Sequence, residues 1–126
     1  MIDFNGNGFF ARLKLVNNST FSTLINDFLI ENEKIISSYR NIRDGIIFTT
    51  KRIITINIQG LTGKKKDFTS IPYSKITTFS LETAGGFDLD AELEIYISAV
   101  GKLKFEFTGS TNVKYICKVI SMYALR

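Results

Sequence analysis

A chain of 126 residues, 44% apolar and 22% charged, is the size of one domain and has enough greasy surface for a single core, which excludes wholesale disorder. It holds no histidine and one cysteine, Cys117, which removes histidine-based nucleophile pairs, proton shuttles and metal sites, and any internal disulfide. The net charge of +4 is mild, so the placement of the cations matters more than their number.

Residues Met1–Asn18 open with "NGNG", a turn or loose lead, and Phe9, Leu13 and Val16 predict at most one or two helical turns. This lead reads either as a membrane-surface anchor with Arg12 and Lys14 as its basic face, or as a short segment docked on the domain or left mobile. It lacks the basic start and apolar run of a secretory signal, and no stretch approaches the roughly eighteen apolar residues of a membrane span. A soluble, cytoplasmic protein is expected, with its lone thiol in a reducing setting.

"STFSTLINDFLIENE" predicts a helix, because Phe21, Leu24, Ile25, Phe28 and Leu29 recur on one face of a 3.6-residue repeat. Asn18, Ser19 and Thr20 each offer an oxygen to cap it. From Glu33 the period changes to two. "EKIISSYRNIR" and "GIIFTTK" read as strands joined by a tight turn at Asp44-Gly45, and "RIITINIQ" follows with Ile54, Ile56 and Ile58 on one face. "GLTG" turns the chain into "KKKDFTSI", and beyond Pro72 "SKITTFSLET" forms another strand, ended by "AGGF". "DLDAELEIYIS" and "KLKFEFT" make a last hairpin about Ala99–Gly101. Leu93, Ile95, Ile97, Leu103, Phe105 and Phe107 point inward there, and Glu92, Glu94, Tyr96, Lys104 and Glu106 point outward. The chain closes with a helix that Ser110 or Thr111 can cap; Val113, Ile116, Cys117, Ile120 and Ala124 form its apolar stripe, which makes Cys117 a small core residue. The expected order is helix, seven strands, helix: a lead over 1–18 and one domain over 19–126, with no repeat, linker or second core. That many strands need closure or two layers to hide their edges.

The run "RNIRDGIIFTTKRIITINIQGLTGKKKDFTSIPYSKITTFSLETAGGFDLDAELEIYIS" carries "FTTKR", "QGLTGKKKDFTSIPYSKIT" and "ETAGGFDLDAELEI" in order. With these pieces the chain resembles the bacterial pleckstrin-homology-like domains once catalogued as a domain of unknown function. The resemblance implies a mainly β fold, a partly open barrel of two near-orthogonal antiparallel sheets plugged by the C-terminal helix. It also implies ring-like association of copies, and brings no enzymatic activity with it.

"GLTGKKK" is no nucleotide cradle. A P-loop needs four residues between its glycines, then lysine and a hydroxyl residue opening a helix; here two residues separate Gly60 from Gly63, Lys65 replaces the hydroxyl, and a strand follows. Two readings of the lysines stay open. In a meander the first and third turns share one end, which would bring Arg40 and Arg43 near Lys64, Lys65 and Lys66, and the resemblance adds Lys102; this cluster is the candidate site for anions or lipid headgroups. In the other reading the lysines decorate an exposed strand against uncontrolled pairing. Lipid-binding members of the wider pleckstrin-homology class usually place alternating basic residues where this chain has "GIIFTTK". Asp88, Asp90, Glu92 and Glu94 share a strand face but lack the glycine and final carboxylate of a calcium loop. Aromatic residues pointing inward leave few platforms for nucleic-acid bases, so nucleic acid is not an expected partner. No metal, cofactor or catalytic residue is expected. Two functions remain: a self-assembling interaction module, with Lys51, Arg52, Asp88, Asp90 and Glu92 as candidate interface residues, or a peripheral binder of anionic membrane.

Overall fold

A computed structural model describes Met1 and residues 9–83, 90–98, 100–109 and 113–125. "NGNG", "AGGF", Asp88, Ala99, and Ser110 and Thr111 fall outside the described residues.

Four consecutive strands make an antiparallel meander: β2 (Ile35–Arg40), β3 (Gly45–Thr49), β4 (Arg52–Gln59) and β5 (Lys65–Pro72). β6 (Thr78–Thr83), β7 (Ala91–Ile97) and β8 (Gly101–Phe107) make a second, with Leu93 opposite Phe105 and Ile95 opposite Leu103. The expected alternation holds in the last hairpin: Leu93, Ile95, Leu103, Phe105 and Phe107 are buried, and Ile97 packs partly buried against them.

The two halves are joined by a strand where helical turns were expected. β1 (Phe9–Val16) runs parallel to β8 through Phe9, Phe10 and Leu13, then antiparallel to β2 through Lys14, Leu15 and Val16. A bulge marks the changeover, with Arg12 at φ 56°, a left-handed conformation uncommon for a residue with a side chain. The extra residue lets Phe10 and Leu13, three apart, both enter the core. Among the described residues the result is one sheet of eight strands rather than seven, in the order β5-β4-β3-β2-β1-β8-β7-β6.

That order leaves β5 and β6 as edges. Between them the chain passes through a 3-10 turn at Tyr73–Lys75, and α2 (Val113–Ala124) lays Ile116, Val119 and Ile120 into the same core as Tyr73 and Ile76. Tyr123 stacks on Tyr73 at 5.1 Å between ring centroids. The helix thus plugs the open side of the barrel. Cys117 is only half-buried on it.

A second apolar cluster, not anticipated, lies on the opposite face of the first meander. α1 (Ser19–Ile25) is shorter than its apolar stripe and tightens into a 3-10 turn at Asn26–Phe28. It buries Phe21 and Ile25 against Ile47, Ile54 and Ile56, while Ile53 on the other face of β4 enters the barrel core. Leu24 stays exposed, and Phe28 leaves the stripe to meet the Phe68 ring at 4.7 Å. Asn18 does not cap α1; its amide donates to Ile36 O and its side-chain oxygen accepts from the Ser38 hydroxyl, pinning the helix start to β2.

Asp44-Gly45 is not a two-residue turn. The reversal spans 41–44, organised by the Asn41 side-chain oxygen, which accepts from the Arg43 and Asp44 amides. Gly45 lies within β3, and its lack of a side chain serves packing: a Cβ there would sit 2.5 Å from Phe21 Cζ. Gly60 and Gly63 do turn the chain as expected, both with positive φ.

Candidate functional site

The β2–β3 and β4–β5 turns share one end of the barrel and are tied together, since Arg43 Nη2 donates to Gly60 O at 2.8 Å. Ile42 and Leu61, at the tips of these turns, are fully exposed, with relative accessibilities of 100% and 108%. Asp44 faces inward to its own fold, accepting from Ile58 N and Asn57 Nδ2. Lys64, Lys65 and Lys66 follow the second turn, all exposed. Register sends Lys66, opposite Ile58, to the outer face and Lys65, opposite Gln59, to the other, so the three do not form one claw.

Arg40 lies at the end of β2, directly opposite Lys14 of β1. Together with Arg12 and Arg43 they line a cleft of about 650 Å³ that Ile42, Leu15, Val16 and Ala11 also wall. Arg12 and Lys14 were expected on a separate lead; β1 carries them into the barrel wall beside Arg40. Lys102, exposed near the start of β8, stands toward the same end, because Phe9 opens β1 beside Lys104. β1 intervenes between it and Arg40.

The candidate interface residues are dispersed. Lys51 is exposed in the β3–β4 turn, at the end of the barrel opposite Lys64–Lys66, ~20 Å away along β4. Its neighbour Arg52 is engaged within the fold. The Arg52 guanidinium grips the buried Glu33 carboxylate through both oxygens, Nε to Oε2 at 3.0 Å and Nη2 to Oε1 at 2.9 Å. It also donates to Ser70 Oγ and to Phe28 O. Thr49 Oγ1 donates to Glu33 Oε2 at 2.6 Å and accepts from the Lys51 and Arg52 amides. Burial acts to raise the Glu33 pKa, yet Arg52, Thr49 and the Ile30 amide together hold it below the ordinary carboxylate value. Tyr73 donates to Thr49 O at 2.8 Å, and burial first, then Tyr123 and Glu33, pushes its phenol well above normal.

The acidic residues gather across the second meander. Glu82, Glu92 and Glu106 lie side by side on β6, β7 and β8. Lys104 bridges Glu92 at 3.6 Å and Glu94 at 3.5 Å, and Glu106 accepts from the Arg12 amide. Asp90 precedes β7, half-buried and engaged with a partner.

The likeness to known proteins follows this architecture. The Bacillus subtilis (strain 168) protein YjqA, described as uncharacterized, is 51% identical over 89 residues, 67% of this chain and 71% of its own. YozO of the same organism, likewise described as uncharacterized, is 32% identical over 108 residues, 86% of this chain and 93% of its own. A crystal structure from Shewanella loihica PV-4, of a DUF1696 family protein with a pleckstrin-homology domain, superposes with a TM-score of 0.80 at 40% identity, covering 91% of this chain and 99% of that one. The family model for the bacterial PH domain matches residues 5–124, from ahead of β1 to the end of α2. An open barrel that β1 helps to close and α2 plugs, matched over nearly its whole length, makes this chain a member of the bacterial pleckstrin-homology domain family.

Proposed function

We propose that the chain is a non-catalytic module that assembles head to tail with copies of itself and, once assembled, serves as a scaffold for other proteins. The observation that carries it is the opposite charge of the two sheet edges, β5 and β6, that no strand pairs among the described residues, with the Met1 ammonium held by Asp67 on β5. β5 bears exposed Lys65 and Lys66, and β6 bears exposed Glu82, continued inward by Glu92 and Glu106. An unpaired edge offers a row of amides and carbonyls to another strand. Charge complementarity favours β5 against β6 over either edge against its own kind. Such a contact closes into a ring where the rotation per copy permits, in line with the association that the resemblance implies. A non-catalytic role is supported by the lack of histidine and by Glu33 and Tyr73, whose perturbed protonation serves the fold.

Light scattering after gel filtration at tens of micromolar and low salt tests it. A monomer overturns it. Lys66→Glu and Glu82→Lys, both outward-facing, should each weaken assembly, and the double exchange should restore it.

A second reading, contact of the basic turns with anionic lipid headgroups, is favoured by the bond from Arg43 to Gly60 that holds the two turns together. Sedimentation with acidic vesicles tests it: the wild type should bind and the variant with Lys64, Lys65 and Lys66 changed to Glu should bind less. Equal binding by both, or none by either, removes it.

A further inference from the structure

Like charges directly opposite each other on neighbouring strands cost stability. Lys14 of β1 nonetheless faces Arg40 of β2, and Arg12, two residues away, takes a left-handed conformation at the bulge. Among the described residues no carboxylate forms an ion pair with Arg12, Lys14 or Arg40. Asp44, which lines the same cleft, accepts from Ile58 N and Asn57 Nδ2, and Glu106 accepts from the Arg12 amide rather than from a side-chain cation.

The cleft these cations share is a built feature. Asn41 Nδ2 donates to Ala11 O at 3.1 Å, fastening the β2–β3 turn to β1 as its two walls. The β1 wall runs from Ala11 to Val16, about 15 Å of strand, which an extended peptide of about five residues matches. A lone phosphate or carboxylate would leave most of its volume, about 650 Å³, empty. Among the described residues no aromatic ring lines it to stack a nucleic-acid base, whereas Leu15 and Ile42 are exposed aliphatic side chains set among the cations. Successive side chains of an extended chain point to opposite sides, so a strand of alternating acidic and aliphatic residues complements both kinds of lining.

We infer that this cleft is a docking site for a second protein, taking an extended segment whose carboxylates pair with Lys14, Arg40 and Arg12 and whose aliphatic side chains lie on Leu15 and Ile42. The inference rests on the scaffold reading above and names the chemistry of the partner. It is independent of whether copies join through β5 and β6, because β1 and β2 lie in the interior of the strand order.

The probe is a rhodamine-labelled peptide in which glutamate alternates with leucine, read by fluorescence anisotropy against the full chain at low salt. It should bind, and it should raise the Tm of the wild type by mass action. Exchanging its glutamates for glutamine, or its leucines for serine, should each weaken binding at least about tenfold. Lys14→Glu with Arg40→Glu should weaken it by a similar factor and leave the scattering mass unchanged, while Lys75→Glu, exposed outside the cleft, should bind as the wild type does. Lys14→Glu alone should raise Tm, since it turns a repulsive pair into an attractive one. No binding by the wild type, or equal binding by the double variant or by either altered peptide, overturns the docking site, as does an equal loss in Lys75→Glu. Displacement of the peptide by inorganic phosphate at equal charge assigns the cleft to a lone anion, and displacement by phosphatidylglycerol vesicles assigns it to lipid; either overturns the proposal. A Tm that Lys14→Glu does not raise removes the repulsion from which the inference starts and overturns it too. A monomer that binds the peptide sinks the assembly and leaves the docking site standing, and an oligomer that ignores the peptide does the reverse.

Discussion

Glu33 has no solvent-exposed side-chain surface, and only Arg52, Thr49 and the Ile30 amide make its charge tolerable there. Glu33→Gln leaves the Arg52 guanidinium without its counter-charge and should cost about 3 kcal/mol in urea unfolding, the scale for breaking a buried pair. The pH dependence has a definite sign. A carboxylate held below its ordinary value of 4.5 adds stability that is fully present above that pH and is lost as the pH falls through the lower folded value. The gap between wild type and Glu33→Gln should therefore narrow on acidification below pH 4.5, read as unfolding free energy against pH. Tyr73→Phe removes the donor to Thr49 O and should cost about 1 kcal/mol with the ring stack on Tyr123 kept.

Among the elements, β3 and α1 depend on one contact. Gly45→Ala forces a methyl into the Phe21 ring, and thermal unfolding should show a loss of about 1–3 kcal/mol, partly recovered by Phe21→Leu. Strands β3 to β8 could be read from the residues because their pairing with one another runs without a register slip and glycines punctuate the β4–β5 turn, and β2 could be read despite a slip between Ile35 and Ser37. β1 could not. Its bulge at Arg12 places two core residues, Phe10 and Leu13, three apart, which imitates a helical spacing. α1 misled in the same way: Phe28 lies at a helical interval from Phe21, yet its ring packs on Phe68 beyond the helix end. The candidate site shared this fate. Hairpin order was enough to bring Arg43 toward the lysine run, whereas the cleft required Arg12 and Lys14 to stand on a strand beside Arg40, which no local pattern announces.

At the scale of the whole molecule, charge is sorted between the two meanders, cations on the turns of the first and carboxylates across the second. Assembly through β5 and β6 couples folding to concentration, since anything that binds only the folded chain raises its melting temperature by mass action. Tm should rise with protein concentration at low salt and lose that dependence in Lys66→Glu; a Tm independent of concentration counts against the assembly.

The side-by-side run of β1 with β8 has a temporal consequence. A nascent chain exports Phe10 well before Phe105, so the neighbour that β1 needs on one flank does not yet exist while the strands between them are being made. Until it emerges, the first strand has an open flank exposed to whatever is nearby, including the same segment on an adjacent ribosome. Closing so distant a pair is also the slow kind of step, which makes the joining of β1 to β8 a late act in the folding of this sheet.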